Sequence, residues 1–151
     1  MGIFRGQGAT EYLVLLAVVL IVALVSVALL GFFPGMASDA RITQSQSYWR
    51  GQAKPFAIMD AGVTSSVGTF AVQNMEATGL TLTTFAVGNG TNSTLNTVFG
   101  AGETKTLYIN QIIGTYAAGG VYDLNVTITY STSSITGLKQ YGTKNLIGKY
   151  T

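Results

Sequence analysis

LVLLAVVLIVALVSVALL, from Leu13 to Leu30, is the stretch whose reading decides the architecture. Its 18 residues are apolar except Ser26, and no charge occurs from Tyr12 to Ser38. At about 1.5 Å rise per residue, a helix from Tyr12 to Phe33 spans a hydrocarbon core of roughly 30 Å. The run has no polar stripe, and a helix that is apolar all round belongs in a membrane or at the centre of a helical assembly. A secretory signal has an apolar core of about 7–15 residues, a basic segment before it and a small-residue cleavage site after it. Here the core is longer, the preceding segment is very short, and acidic Glu11 abuts it. A plain single-pass anchor is the simplest alternative reading.

Beyond the run, Gly31, Pro34 and Gly35 in GFFPGMA are expected to bend or loosen the helix, because proline removes a backbone donor and crowds the preceding turn. The next stretch, SDARITQSQSYWRGQ, resumes as a more amphipathic helix, with Ala40, Thr43, Ser47 and Trp49 spaced among polar residues. The expectation is a helix from about residue 8 to about residue 50, kinked near 31–35, with Tyr48 and Trp49 packing where it meets the rest of the protein.

From about Phe56 the chemistry changes to Thr, Gly, Val, Tyr and Asn, the residues of strands and turns. VYDLNVTITY, from Val121 to Tyr130, alternates Tyr122, Leu124, Val126, Ile128 and Tyr130 with Asp123, Asn125, Thr127 and Thr129, which reads as one half-buried antiparallel strand. Leu80 to Val87 alternates at first in the same way. Other strands are expected at Phe70–Met75, Thr104–Ile113, Ile135–Tyr141 and near Asn145–Tyr150. Turns are expected at Gly88-Asn89-Gly90, Gly100-Ala101-Gly102 and Ala118-Gly119-Gly120. Short strands with regular turn signals point to a β-sandwich. The fold class is therefore α+β: a long N-terminal hydrophobic helix followed by an antiparallel sandwich.

Composition removes several function classes. The 151 residues include no Cys and no His, so thiol nucleophiles, thiolate metal sites, disulfides and imidazole bases are all missing. Eight basic residues against six acidic ones form no phosphate-binding patch, so nucleic acid is not an expected partner. Phosphate-loop, serine-hydrolase and zinc-protease motifs do not occur, and Asp39, Asp60, Glu76, Glu103 and Asp123 show no paired spacing. The chain is read as a non-enzyme without cofactor or metal. Charged residues make up only 9% of it, against roughly 25% in an ordinary soluble domain. Its 20 Thr and 10 Ser supply polarity instead.

The first twelve residues read MGIFRGQGATEY. Arg5-Gly6-Gln7, then Glu11-Tyr12 and a pure apolar helix, resembles the class III signal peptide of archaeal type IV pilins. The resemblance implies cleavage by a prepilin peptidase between Gly6 and Gln7, so that Met1–Gly6 is a discarded leader and the apolar helix stays in the mature protein. Glu11 becomes the fifth mature residue, the acidic position of type IV pilins. The family often has Ser two residues after the Gln, where this chain has Ala9. The motif with its helix covers about the first 45 residues. QNMEATGLTLTTFAVGNGTNSTLNTVFGAGETKTLYI also resembles the immunoglobulin-like sandwich of archaeal pilins and archaellins.

These likenesses imply a leader at 1–6, an assembly helix at 7–51 and a head domain at 52–151. They imply a structural subunit of an extracellular adhesion filament, a helical homopolymer served by a prepilin peptidase, an assembly ATPase and a membrane platform protein. The precursor would sit in the cytoplasmic membrane with its head outside. Charge alone argues the reverse orientation, since only Arg5 precedes the helix while Arg41, Arg50 and Lys54 follow it. The leader motif places the N-terminus inside. Physical chemistry gives Glu11 a matching role, because a carboxylate beside an apolar run is costly to bury unless paired, and cleavage frees an α-amino group at Gln7 that a neighbouring subunit can offer it. The bland reading is that Glu11 marks the membrane boundary near the helix N-terminus. Asn89-Gly-Thr91, Asn92-Ser-Thr94 and Asn125-Val-Thr127 are glycan acceptor sequences, and a Thr-rich chain also yields such triplets by chance. The rival functions are a minor pilin or tip adhesin, and a membrane-anchored solute-binding domain that uses the same leader.

Overall fold

The computed structural model of the chain describes residues 7–92, 95–112 and 117–151. Residues 1–6, expected as a leader and including Gly6, lie outside the described residues, as do Ser93, Thr94 and Ile113. Among the described residues one helix, α1, runs from Gln7 to Gly51, and ten strands follow. The helix continues through Gly31, Pro34 and Gly35 without interruption. The long apolar helix and the antiparallel sheets make the protein α+β.

The chain divides into two compact units, residues 1–39 and 40–151. The division falls inside α1, so the last turns of the helix belong with the strands. There Ile42 and Tyr48 are partly covered, Ser45 and Trp49 are buried, and Ala40, Thr43 and Ser47 are exposed. Of the four residues spaced among polar ones, only Trp49 is buried. Spacing of 3, 3 and 1 residues from Ile42 still keeps one helical stripe. A serine holds a buried place in it because both its hydrogen-bonding capacities are met. Ser45 Oγ donates to the Asn145 carbonyl at 2.8 Å and accepts from the Ile147 N–H at 2.9 Å.

Two sheets share one core. β1 (Phe56–Val63), β2 (Val67–Asn74) and β6 (Thr104–Asn110) form the first, in the order β1-β2-β6. β4 (Gly90–Asn92), β3 (Leu80–Val87), β8 (Val126–Ser131) and β9 (Leu138–Tyr141) form the second, with β5 (Thr97–Phe99) also paired to β3. β7 (Val121–Leu124) and β10 (Leu146–Lys149) make a separate two-stranded ribbon. Edge-on ring contacts join the first two sheets, with Phe56 against Phe99 and Phe70 against Phe85, both at 5.3 Å between centroids. Such pairs add about 0.5–1.5 kcal/mol beyond the apolar area they bury.

Several expected strands have different limits. β1 was not anticipated as a strand; the core takes up its Phe56, Ala57 and Ile58 consecutively, so alternation is missing where it begins. The strand expected at Thr104–Ile113 ends at Asn110, because Gln111 takes the left-handed φ of 64° and its N–H turns to the Ser66 carbonyl. The strand expected from Ile135 starts at Leu138, since residues 132–135 close a turn in which the Ile135 N–H donates to Thr132 Oγ1. Val121–Tyr130 is two strands, not one. Up to Leu124 it pairs with β10; from Val126 it pairs with β3 and β9. Between them the Asn125 carbonyl accepts the Gly88 N–H at 2.8 Å. The burial alternation runs on through the switch, which is why the sequence reads as continuous.

The three expected turns are present. At the first, Val87 pairs with Gly90 across Gly88 and Asn89. Gly88 takes φ +57°, as the first central position of a tight hairpin turn requires. A Cβ there would also lie 2.9 Å from Leu124 Cδ2.

Candidate functional site

In the first unit, the side chains described from Gly8 to Gly31 are exposed on every side of the helix. Fifteen large apolar side chains between Tyr12 and Leu30 keep 42–70% of their surface open. Burying each is worth about 1.5–3 kcal/mol, so together they represent tens of kcal/mol of unrealised apolar contact. A surface of this kind marks an interaction with lipid or protein. The helix is long and apolar enough to cross a membrane, with a mean hydropathy of 3.4 over its most apolar 18 residues. The single polar side chain of the run Leu13–Leu30 is satisfied within the helix, as Ser26 Oγ donates to the Val22 carbonyl at 2.7 Å. Nothing in the run therefore requires water.

Gln7 opens the helix and Glu11 lies one turn on, exposed just before Tyr12. Glu11 has no hydrogen-bond or ionic partner among the described residues. Gly6, expected beside Gln7 at a cleavage site, lies outside them.

The three acceptor asparagines occupy different settings. Asn89 is exposed on the β3–β4 turn. Asn92 is the last residue of β4 rather than a loop residue, and its Nδ2 donates to the Tyr108 carbonyl at 3.3 Å. Asn125 is exposed at the junction of β7 and β8, and its side-chain amide makes no hydrogen bond among the described residues. Strand pairing puts Asn92 in place, and nothing local in its sequence announces the bond to Tyr108.

The second unit carries a polar groove that sequence reasoning did not find. Its volume is about 310 Å³, and Arg41, Gln44, Asp123, Thr143, Lys144 and Asn145 contribute to its walls. Arg41 and Asn145 occupy the two oxygens of Asp123, at 2.5 Å and 2.7 Å. The arginine and the aspartate lie 82 residues apart in the chain, so no spacing rule points to them. Both remain substantially exposed, and such a pair contributes about 0–1 kcal/mol. Below the groove, Tyr48 accepts the Thr143 N–H at 3.2 Å, and Trp49 packs against Gly142, where a Cβ would come within 2.5 Å of the indole. Trp49 thus belongs to the core, at the junction where it was expected.

Two titrating groups depart from their ordinary ranges. Burial pushes the Tyr122 phenol up to about 12, with the charges of Asp60 and Tyr150 adding to the effect. The Gly100 N–H, donating to Glu103 Oε2 at 2.7 Å, holds the Glu103 carboxyl below its ordinary value; Lys105 assists and desolvation opposes. Both groups support the fold. Among the described residues, no group of three or more His, Cys, Asp or Glu is placed to hold a metal ion.

No protein-family model matches the chain, and no curated protein matches it.

Proposed function

We propose that this chain is the subunit of an extracellular filament of the archaeal type IV pilus kind, serving surface adhesion and held together by its N-terminal helix. The observation that carries the reading is the coincidence of two features. One is an apolar helix exposed on all sides. The other is the Arg5-Gly6-Gln7 motif placed directly before it, with Glu11 at its edge. As a precursor the helix lies in the membrane with the head outside. After cleavage between Gly6 and Gln7 it packs with other copies of itself. Both surroundings are apolar, and a helix satisfies its own backbone in either, so transfer exchanges one apolar contact for another. Glu11 of one subunit pairs with the Gln7 amine of its neighbour and sets their register. The head is an immunoglobulin-like sandwich facing the medium, glycosylated at its accessible acceptor asparagines. A prepilin peptidase, an assembly ATPase and a platform protein complete the machinery.

Negative-stain microscopy of cells expressing the chain, beside a Gly6 variant, tests the proposal. The expected result is abundant filaments whose subunits begin at Gln7, and none from the Gly6 variant. Uncleaved protein left wholly in the membrane would overturn it in favour of an anchored binding domain. Filaments of Glu11→Gln with unchanged helical register would remove the pairing role alone.

A further inference from the structure

We propose that the polar groove of the second unit seats a glycan attached to Asn125, which closes over the groove and ties the end of α1 to the strands. The inference rests on the reading of Asn125 as a glycan acceptor and adds where that glycan lies.

Three observations converge. Asp123 and Asn125 alternate with buried Tyr122, Leu124 and Val126, so their side chains leave the same face of the chain. Asp123 is a groove wall. At about 3.3 Å per residue the two Cα atoms are roughly 6.6 Å apart, a span that the first sugars of a glycan cover.

The groove's chemistry also suits a saccharide. Asp123 is already engaged by Arg41 and Asn145, and Ser45 is engaged on both sides. What the walls still offer is the Gln44 amide, the Thr143 hydroxyl and the Lys144 ammonium, none of them with a side-chain bond among the described residues. Together these donate and accept, as sugar hydroxyls do. At about 310 Å³ the space lies at the lower end of ordinary ligand sites. Weak individual contacts suffice, because a tethered glycan meets the groove at high effective concentration.

The acceptor nitrogen makes no hydrogen bond among the described residues. In the transfer, Nδ2 bonds to the anomeric carbon of a lipid-linked glycosyl phosphate, that carbon's bond to the phosphate oxygen breaks, and one Nδ2 proton is lost. The phosphate leaves with its lipid. Asn92 differs, because its Nδ2 already donates to the Tyr108 carbonyl.

The test uses the full-length protein purified from its own cells in detergent. Asn125 occupancy is read by glycopeptide mass spectrometry, and the reactivity of Lys144 with an acetylating reagent is compared with that of exposed Lys139 outside the groove. Asn125→Gln and Thr127→Val both remove the acceptor sequence; the second keeps Asn125 and a β-branched residue in β8. The expected result is an occupied Asn125 in the unaltered protein and a several-fold rise in Lys144 acetylation in both variants, with Lys139 unchanged. An occupied Asn125 whose removal leaves Lys144 reactivity unaltered would overturn the seating while the glycosylation stands. A bare Asn125 would overturn both.

Discussion

The helix before Asp39 and the strands after it use similar apolar residues to opposite ends. In the head, Phe56, Phe70, Phe85 and Phe99 are fully buried against one another and against aliphatic neighbours. Along the helix, Leu15, Ile21 and Leu24 are as apolar and more than half exposed. The head buries a core of apolar groups within one chain; the helix leaves its own to whatever surrounds it. The difference teaches that hydropathy averaged over this protein, +0.40, describes neither part.

The sharpest way to break the contrast is to damage each part and ask whether the other responds. Phe85→Ala opens a cavity between the sheets and is expected to lower head stability by about 3–5 kcal/mol, read by chemical denaturation of the detergent-solubilised protein, with membrane retention unchanged. Val19→Arg places a charge at the centre of the apolar run, at about 2.5–3.5 kcal/mol on insertion scales. On the proposed function, loss of membrane and filament fractions is expected, with the denaturation midpoint of the head unaltered. If Val19→Arg also unfolded the head, the two parts would not be independent.

Smaller effects probe the junction. Ser45→Ala strips partners from the Asn145 carbonyl and the Ile147 N–H, and about 1–3 kcal/mol of head stability should go with them. It places residues 40–51 energetically with the strands if it acts on the head alone. Alkaline titration separates the parts without mutation. The folded Tyr122 holds its proton to about 12, above the ordinary phenol value of 10.0. Its contribution is therefore intact below pH 10 and lost as pH rises toward 12. Tyr122→Phe should flatten the fall in head stability across that window. Arg41→Ala comes last, at about 0–1 kcal/mol, because its ion pair with Asp123 is open to solvent.

Much of the fold was legible before any coordinates. A run from Leu13 to Leu30 without a charge marks a long apolar helix, and alternation marked the buried face of Tyr122 to Ile128 correctly. Turn positions followed from glycine and asparagine, whose backbone preferences are local. The site was less legible. Glu11 and the acceptor asparagines could be named from motifs, but whether an asparagine amide is free depends on a strand neighbour sixteen residues away in the case of Asn92. The burial of Ser45 was not legible, because a serine is buried only when distant partners receive it. Those partners, Asn145 and Ile147, lie 100 and 102 residues further on.

The sequence by itself determined the helix, the uniformly apolar surface of Leu13–Leu30, the division of the chain into an apolar and a hydroxyl-rich part, and the inward side of the alternating stretch Tyr122 to Ile128. These follow from periodicity and local backbone preference, which act within a few residues. Only the tertiary structure decided that Val121–Tyr130 changes sheets at Asn125, that Ser45 is an interior residue, and that Arg41, Asp123, Lys144 and Asn145 border one groove. Each of these depends on groups brought together from separate parts of the chain, and the energy of such contacts leaves no mark on the residues beside them.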